Sequence, residues 1–141
     1  MIPLTQHDPS KYKGLGIPRK RRIIIIDDDP DITKTFSLVL EDSGLYEVET
    51  FNNPSAALRS FRPDYYDLAL LDIRMPNING FALSEKMEKI DKKAKICFIS
   101  AFDIEDKVLR EQYPSLEVKS FLPKSIAINV LLGRLEVELL R

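Results

Sequence analysis

The stretch Arg22-Ile23-Ile24-Ile25-Ile26-Asp27-Asp28-Asp29-Pro30 decides the fold. Four consecutive isoleucines leave no polar side, which suits a short strand covered on both faces, as in a parallel sheet. Three carboxylates follow at once. Pro30 then suits the first position of a helix, with Asp29 or Asp28 as its cap. Ile32, Phe36, Val39 and Leu40 fall on one helical face, and Gly44 offers a stop.

The same strand-then-helix unit recurs down the chain. Strands are expected over 22–27, 45–50, 66–72, 95–100 and 117–122. Asn53-Pro54 opens a short helix that Pro63 prevents from continuing. Further helices are expected over 79–90 and 103–112, and Ser125 is read as the cap of a last helix running to the end. Five such units argue for an α/β fold: a five-stranded parallel sheet, doubly wound, with helices on both faces. Residues 1–20 carry Pro3, Pro9, Pro18, Gly14 and Gly16 and read as an irregular arm before a domain over 21–141.

Composition narrows the function. A chain of 141 residues fits one domain. Its single cysteine, Cys97, can form no internal disulfide and is read as an inert buried thiol in a reducing, cytoplasmic compartment. No apolar run reaches the roughly 18 residues of a membrane span. Residues 1–22 hold six basic side chains and one acidic, whereas 23–141 hold 15 basic and 21 acidic. A body of that sign is a poor candidate for direct nucleic-acid binding, which needs phosphates neutralised. The basic run Arg19-Lys20-Arg21-Arg22 is read as a solvated lead-in to the first strand.

In open parallel sheets, ligands bind beyond the carboxyl ends of the strands. Those positions hold Asp27, Asp28 and Asp29, then Asp72, Ser100 and Lys124, while the second strand offers only Phe51 and Asn52. Helix capping explains Asp29 but neither Asp27 with Asp28 nor Asp72. Like charges 4 Å apart repel by about 4 kcal/mol at an effective dielectric near 20, so the cluster asks for a cation. Mg²⁺ with a phosphoryl group answers it. Lys124 can pair with a phosphoryl oxygen, Ser100 can donate to another, and Asp72 can act as a carboxylate nucleophile.

At this point the chain resembles a response-regulator receiver domain of two-component signalling, chemotaxis-Y-like, over roughly residues 21–140. Ile23 to Pro30, Leu71-Asp72-Ile73-Arg74-Met75-Pro76, Gly80, Ser100-Ala101 and Phe121-Leu122-Pro123-Lys124 carry the likeness. It implies a flavodoxin-like (βα)5 fold with strand order 2-1-3-4-5. It also implies Asp72 as phosphoacceptor, Asp27 and Asp28 as the acidic pair, and Mg²⁺ held by Asp28, Asp72 and the Arg74 backbone carbonyl, with Asp27 beside them. Ser100 would be the switching hydroxyl, Phe121 the aromatic rotamer switch and Lys124 the phosphate-pairing lysine. Arg74, Ala101 and Phe102 would tune phosphoryl lifetime. Three features depart from the pattern: Ser125 follows Lys124 where the family usually has proline, serine replaces threonine at 100, and the N-terminal arm has no counterpart.

The implied partners are a sensor histidine kinase or histidine phosphotransfer protein, and a downstream protein. The last helix is apolar over a wide stripe, Ile126, Ile128, Val130, Leu131, Leu132, Leu135, Leu139 and Leu140. The surplus at Leu132, Leu135 and Leu139 is read as a contact surface for a partner or a homodimer. No residues remain after that helix for a DNA-binding output domain, so regulation is expected through protein contacts or within a longer system. The competing reading is an aspartyl-phosphate phosphatase of haloacid-dehalogenase type, with Asp27 as nucleophile. It leaves Asp72 without a role, and Pro30 and the missing acidic pair after Lys124 speak against it. A receiver that only binds a partner fits the complete acid set less well, and a flavodoxin-like cofactor protein would need a Gly- or Ser/Thr-rich loop after the first strand, which this sequence lacks.

Overall fold

The computed structural model describes residues 19–101, 111 and 121–140. Five parallel strands form one sheet: β1 (Arg21–Ile26), β2 (Tyr46–Phe51), β3 (Leu68–Asp72), β4 (Ile96–Ser100) and β5 (Phe121–Pro123). Their order is β2-β1-β3-β4-β5, the expected one. Four described helices accompany them: α1 (Pro30–Asp42), α2 (Pro54–Ser60), α3 (Gly80–Ile90) and α4 (Ile128–Leu140). All but residue 111 of the helix expected over 103–112, the beginning of the strand expected over 117–122, and residues 1–18 of the arm lie outside the described residues.

The isoleucine block works as its composition requires. Alternate residues of a strand point to opposite faces. Ile24 and Ile26 join Ala69 and Leu71 under Ala57 of α2 and Phe81, Leu83 and Met87 of α3. Ile23 and Ile25 join Leu68 and Leu70 under Phe36 and Leu40 of α1 and Leu131 and Leu135 of α4. All four isoleucines are wholly buried. At about 1.5–3 kcal/mol for each fully buried side chain, β1 alone anchors both layers.

Local signals set the helix starts. Asp29 caps α1 by accepting from the Asp31 N–H, and Pro30 occupies the first turn. Asn53 caps α2 in the same way, with Pro54 next. Gly44 ends the α1 connection at φ +78°, a left-handed conformation that suits glycine.

Three expectations need correction. Ser125 does not cap the last helix. The Ile126 N–H donates to the Pro123 carbonyl at 3.1 Å, closing a turn over Lys124 and Ser125, and α4 begins only at Ile128. The apolar surplus on α4 also sits elsewhere. Leu135 is buried, and Leu132 and Leu139 pack against the same core as Leu131. The exposed apolar residues are Ile128, Val130, Val137 and Leu140.

The basic lead-in is tied down rather than simply solvated. Arg19 makes two hydrogen bonds to the Asp67 carboxylate, at 2.8 and 3.0 Å, and the Arg22 backbone N–H adds a third at 2.7 Å. Arg21 lies 3.5 Å from the same carboxylate. Arg22 turns toward Glu47 and lies over the Tyr65 ring at 4.3 Å. Burial alone would raise the Asp67 pKa, but these donors and charges outweigh it and hold the carboxyl below its ordinary value.

Candidate functional site

The strand register brings four sequence-predicted residues to one edge. Ile26 pairs with Leu71, Asp72 with Ile99, and Ser100 with Pro123, so β1, β3, β4 and β5 end nearly level. Asp27 follows β1, Asp72 and Ser100 end their strands, and Lys124 follows β5. The Lys124 backbone N–H extends the ladder to the Ser100 carbonyl at 2.9 Å, which fixes where its side chain starts.

The Lys124 ammonium bridges two carboxylates. Its Nζ lies 2.9 Å from Asp27 Oδ2 and 3.2 Å from Asp72 Oδ1. Asp27 is wholly buried, and its Oδ1 accepts the Asp29 N–H at 2.9 Å. The buried Oδ2 has the Lys124 ammonium as its partner. Asp28 is exposed at the rim. One oxygen from each of Asp27, Asp28 and Asp72 lies within 4.8 Å of the others.

Three negative charges in that space exceed what one ammonium neutralises. Asp72 records the excess: burial first, then the neighbouring Asp27 charge, push its pKa up to about 7 against the pull of Lys124. Burial would lower the Lys124 pKa, but the two carboxylates win and raise it. Three hard oxygen donors within 4.8 Å of one another and an unneutralised charge fit a hard divalent cation.

The remaining predicted residues are placed as follows. Ser100 is buried at the end of β4. Phe121 is buried at the start of β5, its ring 5.4 Å from that of Phe98 and 6.0 Å from that of Phe81. Arg74 and Ala101 are exposed near the site, and Phe102 lies outside the described residues. No cis peptide bond occurs among the described residues. Cys97 is wholly buried in β4, and burial pushes its thiol up to about 12.

Sequence reasoning left two supports of the site without a role. The Asn52 side-chain amide donates to the Asp27 backbone carbonyl at 2.8 Å and to Thr33 Oγ1 at 3.1 Å. Thr33 in turn donates to the Pro30 carbonyl at 3.2 Å. The only signal was a second asparagine beside a cap residue. Gly80 is the other support. Its N–H donates to the Ile73 carbonyl at 2.8 Å, and a Cβ there would lie 2.3 Å from the Asp72 carbonyl oxygen. Helix α3 therefore starts directly against the backbone that carries Asp72.

Comparison with known proteins agrees with this geometry. Residues 23–136 match the family model described as the response regulator receiver domain. The response regulator receiver protein CpdR of Brucella abortus is 34% identical over 82 residues, covering 58% of this chain and 68% of CpdR. The CpxR homolog of Haemophilus influenzae, a transcriptional regulatory protein, is 30% identical over 120 residues, covering 85% of this chain and 51% of that one. The chain thus spans about half the length of that regulator. The structure of the response regulator protein TrrA from Thermotoga maritima in complex with Mg²⁺ and BeF superposes with a TM-score of 0.68 at 29% identity. That match covers 84% of this chain and 98% of TrrA.

Proposed function

This chain belongs to the response regulator receiver domain family, and from that premise we propose that it is a phosphoacceptor switch with Asp72 as the acceptor. The observation that carries the proposal is the Lys124 bridge to Asp27 and Asp72 beside exposed Asp28. In the transfer, the Asp72 carboxylate oxygen attacks phosphorus. The bond from phosphorus to the donor histidine nitrogen of a sensor kinase or phosphotransfer protein breaks, and an acyl phosphate forms.

The chain's own residues have distinct tasks. Asp27, Asp28 and Asp72, with the Arg74 backbone carbonyl, would hold Mg²⁺, which when bound neutralises charge on the transferring phosphoryl group. Lys124 gives up part of its pairing with Asp72 and takes a phosphoryl oxygen instead. Ser100 donates its hydroxyl to another oxygen. That pull on the end of β4 changes the space around Phe121, whose ring packs against those of both Phe98 and Phe81. Arg74 and Ala101, exposed beside the site, and Phe102 by its place two residues after Ser100, would tune the lifetime of the acyl phosphate. The output is a change of protein contacts, with a downstream protein or with a second copy through the last helix. The domain is regulatory and catalyses only its own phosphorylation and dephosphorylation.

We place it in the cytoplasm. No helix of the described residues is long and apolar enough to cross a membrane. The phosphatase reading with Asp27 as nucleophile is not favoured, since it leaves Asp72, which Lys124 bridges to Asp27, without a role. Acetyl phosphate with Mg²⁺, read by intact mass, tests the assignment. Wild type should gain one phosphoryl group and Asp72→Asn none; equal labelling of the variant excludes Asp72 as acceptor.

A further inference from the structure

We propose that Asn52 is a positioning residue for the metal-binding carboxylates: its side-chain amide fixes the peptide plane from which Asp28 projects. The inference rests on the receiver reading above. Asn52 follows the last residue of the edge strand β2, where the Asp27 N–H makes the final ladder bond to the Phe51 carbonyl at 3.1 Å. Beyond that bond the chain must leave the sheet and turn into α1. The Asn52 amide spans the departure, with one donor contact at 2.8 Å to the Asp27 carbonyl and one at 3.1 Å to Thr33 Oγ1.

The Asp27 carbonyl and the Asp28 N–H belong to one rigid planar unit. Holding the carbonyl oxygen sets the direction in which the Asp28 Cα leaves the strand, and with it where the carboxylate stands. Packing does not do this, because Asp28 is exposed. Asp27 is held by burial, by the Asp29 N–H and by Lys124, so the amide matters most for its neighbour. Outer-shell partners of this kind typically alter metal affinity by about 10–100-fold.

The test is a calorimetric Mg²⁺ titration of the whole chain as wild type, Asn52→Ala, Asn53→Ala, Thr33→Val and Asp28→Ala, with acetyl phosphate labelling rates measured alongside. Asn53→Ala removes the α2 cap one residue away and leaves the Asp27 carbonyl bonded, so it controls for simple loss of stability. Thr33→Val removes the second acceptor but not the first. Expected is a roughly tenfold or greater weakening of Mg²⁺ binding in Asn52→Ala. Its labelling rate at saturating Mg²⁺ should stay near that of wild type, Asn53→Ala should keep wild-type affinity, and Thr33→Val, which removes one of the two amide contacts, should weaken binding less than Asn52→Ala. Binding by Asn52→Ala within twofold of wild type, or equal weakening in either control, overturns the inference alone. A wild type that binds no Mg²⁺, or an Asp28→Ala that binds as tightly as wild type, overturns the metal reading and this inference together.

Discussion

Replacing Gly80 by alanine places a methyl group against the backbone of Asp72. The new Cβ would stand 2.3 Å from the Asp72 carbonyl oxygen, 3.0 Å from its carbonyl carbon and 3.1 Å from the Ile73 Cα. Relief needs a shift of about 1 Å, and the obstacle is backbone at the end of a central strand, not the tip of a flexible side chain. Overpacking of this kind costs about 1–3 kcal/mol. Helix propensity offsets little of it, because Gly80 is the first residue of α3 rather than an interior one. With roughly 3–6 °C lost per kcal/mol for a domain of this size, Tm should fall by about 3–18 °C. Gly133 supplies the internal contrast: it lies inside α4, and a Cβ there meets nothing within 4 Å. Gly133→Ala should therefore stabilise by about 0.5–1 kcal/mol. The assay is urea unfolding of both variants with intact mass after acetyl phosphate, since a displaced Asp72 should also label more slowly. A Gly80→Ala protein as stable as wild type would refute the close-approach argument.

Two further outcomes follow from the charges. The depressed carboxyl of Asp67 contributes stability that is fully present above its ordinary value of 3.8 and is lost as pH falls through the lower folded value. Asp67→Asn should therefore melt below wild type at pH 6, and the gap should close as pH falls below 3.8; a gap independent of pH would mean that the Arg19 and Arg21 contacts contribute nothing. Lys124→Ala strips the countercharge from Asp27 and Asp72, and breaking a buried pair costs about 3–5 kcal/mol. Urea unfolding should show that loss without Mg²⁺ and a smaller one with it, and a loss below about 1 kcal/mol would show that the bridge is too solvated to matter.

Much of this was legible in the residues because the informative signals are local. The isoleucine block, Pro30 after three aspartates and the Asn53-Pro54 pair each specify their element from within a few positions. The acidic site was legible for a different reason: parallel topology gathers strand ends, so Asp27, Asp72, Ser100 and Lys124 had to meet once five strands were counted. What escaped depends on three-dimensional approach. Ser125 looks like a cap by composition, yet a turn closed by the Pro123 carbonyl delays α4. The arginines at 19 and 21 look solvated until Asp67, far along the chain, is brought under them. Asn52 carries no periodic or capping signature, and its partner is a carbonyl, which no side-chain pattern reveals.

The crowding of carboxylates at the mouth of the sheet has an evolutionary consequence. Natural domains sit only a little above the stability they need. Asp72 is held where burial and a like charge oppose its ionised form, so a neutral residue of the same shape would make the metal-free domain firmer. The site thus works against the stability of the metal-free fold. In a mutant library screened for heat resistance alone, without metal or phosphodonor, Asp72→Asn should be enriched while the isoleucines of β1 hold their places. Only selection for signalling would keep the aspartate.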